Sequence, residues 1–144
     1  MFKRILVPTD GSDITVNAVN TAIQLAKVHG AQLLTLSVME PFPYSAVSEI
    51  QPVPPQEFID AQQRVATQRV ETVCAAAAAQ GLSCKAHTVE ALHAWEAIID
   101  HAKNQAVDLI VMASHGRRGV AALLLGSETQ KVLTHTDLPV LIVK

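Results

Sequence analysis

The apolar positions of this chain change period several times. Phe2 to Val7 is a short run of strand formers, stopped by the turn residues Pro8-Thr9-Asp10-Gly11-Ser12. From Asp13 the apolar residues fall at helical spacing. Val16, Val19, Ile23 and Ala26 share a stripe, Ser12 or Asp13 is placed to cap the helix, and Gly30 to end it. Ala31 to Val38 has few charges, as expected of a strand covered on both faces. Glu40 to Pro55 holds five of the seven prolines, which argues against regular structure and for a surface linker or a lid beside a site.

Gln56 to Gln80 reads as a long helix with Phe58, Ala61, Val65, Val73 and Ala76 on one side and Gly81 at its end. Leu82 to Val89 is a third strand, short of bulky residues and so placed near an edge. Glu90 to Asn104 returns to helical spacing through Leu92, Trp95, Ile99 and Ala102, which makes Trp95 a core residue. The apolar run Leu109 to Met112 then empties into the loop Ala113-Ser114-His115-Gly116. A short helical segment, Val120 to Leu125, a helix from Ser127 to about Thr134 and a last strand, Pro139 to Val143, complete the chain.

Five strands alternating with helices predict a single α/β domain over residues 1–144: a doubly wound parallel sheet with helices on both faces. In such a sheet the strand order reverses once, and ligands bind at the carboxyl ends of the strands beside that point. If the first and fourth strands flank the reversal, the Thr9–Ser12 loop and the Ser114–Gly116 loop face each other across one crevice.

The fourth-strand loop carries the candidate chemistry. Gly116 is followed nine residues later by Gly126-Ser127, a spacing that suits backbone approach to an anion but matches neither GxxxxGK[ST] nor GxGxxG. Gly126-Ser127 also reads as a plain helix start, with Ser127 as N-cap and Gln130 closing a capping box. Asp10 has two readings as well: an Asx-type turn cap, or a carboxylate for a ribose hydroxyl or Mg²⁺, with the converging loops favouring the second. His115 lacks a carboxylate orienter in the local sequence, so Ser114-His115 makes no triad by itself. Arg117 and Arg118 suit either phosphate pairing or solvation of the loop. The remaining histidines show no metal spacing, and no metal site is expected.

Composition narrows the classes. Of 144 residues 49% are hydrophobic and 17% charged, enough for one sizeable core under a sparsely charged surface that invites a partner. The formal net charge of −2 gives no broad basic face for nucleic acid. Cys74 and Cys84 form no framework and read as two reduced thiols. Too few apolar residues precede Pro8 for a signal peptide, and no run has the roughly 18 of a membrane span, so a cytoplasmic location is expected.

With both loops in view, the chain resembles the universal stress protein family. The resemblance rests on ILVPTDGSD, LLTLSV and VDLIVMASHGRRGVAALLLGSETQKVLTHTDLPVLIVK. The family motif G-x2-G-x9-G-[ST] falls on Ala113, Gly116 and Gly126-Ser127, with Ala113 where the motif has its first glycine. That departure predicts a methyl close to the ribose or phosphate. The resemblance implies a Rossmann-like fold of the adenine nucleotide alpha hydrolase type, strand order 3-2-1-4-5. It also implies an ATP site, with Mg²⁺ as a companion ion or another adenine nucleotide in place of ATP. The site falls on Pro8, Thr9, Asp10, Val38, Met112, Ala113, His115, Gly116, Arg117, Gly126, Ser127, Glu128 and Thr129. A role in regulating the stress response follows, with at most slow ATP hydrolysis, since the phosphate-loop lysine and a water-positioning glutamine are missing. Pro139 to Val143, an apolar edge, predicts a homodimer. The alternative function is a nucleotide-free dimeric interaction module, favoured by Ala113.

Overall fold

The computed structural model describes residues 1–42, 55–116 and 125–144. Most of the proline-rich stretch lies outside the described residues, as do Arg117, Arg118 and most of the expected short helix. The elements are β1 (Arg4–Pro8), α1 (Asp13–His29), β2 (Gln32–Met39), α2 (Gln56–Ala78), β3 (Cys84–Glu90), α3 (Ala94–Asn104), β4 (Leu109–Ala113), α4 (Ser127–His135) and β5 (Val140–Val143). The strands form one parallel sheet in the order β3-β2-β1-β4-β5.

Strand alternation divides the core in two. Ile5, Val7, Leu33, Leu109, Val111 and Ala113 point to one face, where α1 brings Ala18, Ala22, Ile23 and Ala26 and α2 brings Val73 and Ala77. Leu6, Leu34, Leu36, Ile110 and Met112 point to the other, covered by Ile98, Ile99 and Ala102 of α3 and Val132 of α4. With both faces covered, the central strands read as nearly unbroken apolar runs.

The helical faces depart from the expected stripes. In α1 the buried set is Thr15, Ala18, Val19, Ala22, Ile23 and Ala26, while Val16 is 54% exposed. The three alanines let the helix sit close to the sheet, and that turns Val16 outward. In α2 the buried residues are Ala66, Val70, Val73 and Ala77, and Val65 is 43% exposed for the same reason. Leu92 precedes α3, which begins only at Ala94, and is 76% exposed. Trp95 is half-buried at the rim of the core, its indole 4.4 Å from the His135 ring between centroids. Gly30 ends α1 in the left-handed conformation at φ 63°, its expected place.

Two features prepare the crevice. At the amino ends of β1 and β4, Asp108 ties the strands together: its carboxylate accepts N–H bonds from Lys3 at 2.8 Å and Arg4 at 3.0 Å. At the carboxyl ends the pairing of β1 with β4 runs only through Ile5↔Leu109 and Leu6↔Ile110, although β1 continues to Pro8 and β4 to Ala113. The two strands are clamped at one end and part at the other. Since β2 lies on the far side of β1, this gap is the point where the strand order reverses.

Candidate nucleotide site

The β1 loop is a self-bonded turn. Thr9 donates its N–H to the Leu36 carbonyl at 2.9 Å, which holds the loop to β2, and its hydroxyl accepts the Gly11 N–H at 3.1 Å. Gly11 takes φ 76°, a conformation costly for a residue with a Cβ. Asp10 Oδ1 accepts the Ser12 N–H at 2.9 Å and the Ser12 hydroxyl at 2.5 Å. This is the Asx-type turn. Ser12 stands at the N-cap of α1 but makes no side-chain cap bond there.

The β4 loop is held from three sides. Ser114 donates its N–H to Val143 of β5 at 3.0 Å, its carbonyl accepts the Gly126 N–H at 2.7 Å, and its hydroxyl lies 3.0 Å from His115 Nδ1. Thr129, buried in α4, donates its hydroxyl to the Ala113 carbonyl at 3.1 Å. A Cβ on Gly126 would lie 3.3 Å from the His115 Cα and 3.4 Å from the Ser114 carbonyl oxygen. A side chain at 126 would press on two backbones, which would have to give by a few tenths of an ångström, while the φ of −70° itself suits any residue.

The two loops meet. A Cβ on Gly116 would stand 2.9 Å from Asp10 Oδ2, so the exposed backbone of Gly116 lies against the Asp10 carboxylate. Pro8, Thr9, Asp10, Ala113, His115, Gly116 and Gly126 thus gather at the open end of the β1–β4 gap. Ser127, Glu128 and Thr129 form the first turn of α4, whose leading N–H groups have no acceptor within the helix. Val38 and Met112 sit near the ends of β2 and β4 on the α3 face. Arg117 falls outside the described residues.

Three expectations change. Gly126, not Ser127, is the N-cap of α4, without a side-chain cap bond, and the Gln130 side chain bonds the Leu125 carbonyl at 3.2 Å in place of a capping box. The Ala113 methyl lies in the core. Ala113 ends β4 in register with Val143, is 6% exposed, and its side chain belongs to the apolar cluster facing α1. Glu128 uses its carboxylate elsewhere, accepting the Trp95 N–H at 2.9 Å and so satisfying a donor in the first turn of α3. What Glu128 offers an anion is its backbone N–H.

Sequence reasoning also missed a groove of about 450 Å³ between α1 and α2, lined by Thr9, Ser12, Val16, Val65 and Arg69. The exposed Val16 and Val65 are its signature. It adjoins the β1 loop from the α1 face, whereas the β1–β4 gap opens at the strand ends. Among the described residues no group of three or more His, Cys, Asp or Glu side chains is arranged to hold a metal ion.

Comparison with known proteins agrees with this fold. The family model described as the universal stress protein family matches residues 1–144. The universal stress protein in the QAH/OAS sulfhydrylase 3' region of Thermus aquaticus is 35% identical, covering 100% of both chains. The solved structure of MJ0577, from Methanocaldococcus jannaschii, superposes with a TM-score of 0.83 at 28% identity, over 100% of this chain and 96% of that one. A universal stress protein solved in complex with cAMP has a TM-score of 0.68 at 26% identity, over 99% and 96% of the two chains.

Proposed function

The chain belongs to the universal stress protein family, and on that premise we propose that it binds ATP or another adenine nucleotide in the β1–β4 crevice. The observation that carries the reading is the convergence of Gly116 on Asp10 where the strands part. It sets the exposed Gly116 backbone beside the Asp10 carboxylate at the mouth of the crevice. The phosphates would rest on Gly116, Gly126 and the first-turn N–H groups of Ser127, Glu128 and Thr129. The base would lie toward Val38 and Met112, with the sugar beside Pro8, Thr9 and Asp10. That a related protein holds cAMP supports the adenine preference. A companion Mg²⁺ would meet the Asp10 carboxylate, whose Oδ1 also accepts from Ser12. Occupancy rather than turnover is the output: binding shifts conformation or assembly in a cytoplasmic regulator of the stress response. The test is titration with fluorescent ATP alongside mass analysis of any nucleotide released on denaturation. Submicromolar to micromolar binding is expected, and no binding up to millimolar ligand would sink the proposal.

A second reading, the nucleotide-free dimeric module, draws on β5. This edge strand leaves Leu141 38% exposed, with Val140, Ile142 and Val143 only partly covered. Pairing of two such edges across a two-fold axis would bury them. Light scattering distinguishes the states, and a mass near one chain at micromolar concentration would rule the dimer out.

A further inference from the structure

α1 and α2 both pack on the sheet face formed by Ile5, Val7 and Leu33, and the groove of about 450 Å³ that starts at the β1 loop runs between them. One turn past Asn20, Gln24 donates its side-chain N–H to Gln80 Oε1 at 2.8 Å, which ties the two segments together at the far end. Thr9 and Thr15 in the lining are buried, and their hydroxyls are already engaged. Thr15 donates to the Ser12 carbonyl at 2.6 Å, and Thr9 accepts the Gly11 N–H at 3.1 Å. Val19 and Val73 are the buried apolar residues of the groove, while Val16 and Val65 are exposed. An apolar chain laid along this groove leaves neither threonine hydroxyl without a partner and covers valine surface now in water.

The charge of the groove is one-sided. Arg69, half-buried on α2, is the one charged side chain in the lining, and among the described residues no carboxylate lines it. Arg69 has an interaction of its own within the chain, and a guanidinium with five donors serves more than one acceptor.

We propose that this groove is a binding site for a free medium-chain carboxylic acid. The carboxylate takes paired hydrogen bonds from Arg69, and the alkyl chain lies against Val16, Val19, Val65 and Val73. The guanidinium selects the anion over an alcohol or an amine of the same length. The volume falls within the roughly 300–1,000 Å³ of small-molecule sites. The site does not rest on nucleotide binding, since neither Gly116 nor any residue of α4 lines it.

Calorimetric titration of the full-length protein with octanoate, which stays monomeric at the concentrations needed, tests this. Saturable binding of one octanoate per chain is expected. Hexanoate, two methylenes shorter, should bind about tenfold more weakly. Octanol binding to the wild type and octanoate binding to Arg69→Gln should each be weaker by about tenfold or more, the carboxylate–guanidinium pair being lost. Val16→Glu, at an exposed position of α1, sets a carboxylate where the alkyl chain would lie and should abolish binding without touching Arg69. No saturable binding in the millimolar range, octanol binding as tightly as octanoate, or undiminished binding in either variant would each overturn the proposal. A parallel titration with ATP present keeps the two readings apart: octanoate should bind whether or not ATP does, and simple competition between them would overturn a separate site.

Discussion

The Gly116 backbone packs against the Asp10 carboxylate across the β1–β4 gap, so close that a Cβ at 116 would stand 2.9 Å from Oδ2. Gly116 has no positive φ to forbid a side chain; the limit is space. In Gly116→Ala the carboxylate must turn away, straining the bonds that Ser12 makes to Oδ1. A stability loss of about 1–2 kcal/mol is expected from the weakened charge-assisted bond. Nucleotide affinity should fall roughly tenfold as the loops separate. Denaturant unfolding and ATP titration check the two, and wild-type values for both would remove the contact from the account.

The Ala113 methyl is part of the core, which reverses the effect expected from its place in the motif. Ala113→Gly deletes a buried methyl and adds a flexible residue at a strand end, a cost of about 1–2 kcal/mol. Affinity for ATP should change less than about twofold, under half a kcal/mol. Tighter binding in this variant would show that the methyl crowds the ligand after all.

The parts of the molecule legible in sequence are those fixed by period and by turn residues. Alternating βα units restrict the topology to a parallel, doubly wound sheet; the order 3-2-1-4-5 is what the family resemblance implies, and the crevice follows from that order. Side-chain commitments across the fold were not legible. Nothing local says that Glu128 serves Trp95, thirty-three positions away. Val16 and Val65 were misplaced because alanines on their helices set the closest approach to the sheet. The burial of the Ala113 methyl was not legible because motif spacing records position along the chain, not which face of β4 a side chain takes.

Glu128 joins α4 to α3 through the Trp95 N–H. Glu128→Ala should lower stability by about 1 kcal/mol, the usual cost of a lost N-terminal helix partner. It should leave ATP affinity unchanged. A carboxylate beside the phosphates would repel them, so clearly tighter binding in the variant would place Glu128 in the site and contradict the capping role.

A half-buried imidazole pair gives the fold an acid sensitivity. His87 of β3 and His101 of α3 lie with ring centroids 4.5 Å apart, and His87 Nδ1 and His101 Nε2 are buried without hydrogen-bond partners. Burial first, and then His87, lowers the pKa of His101 from the ordinary 6.5. As pH falls through 6.5 the unfolded chain takes up a proton that the folded protein refuses. Stability is therefore full above that value, declines as pH falls toward the depressed folded pKa, and levels off below it. His101→Gln removes the titrating group and should flatten this part of the profile while leaving the other histidines in place. Urea midpoints measured from neutral pH into the acid range decide the matter, and an equal decline in the variant would assign the acid sensitivity to other groups.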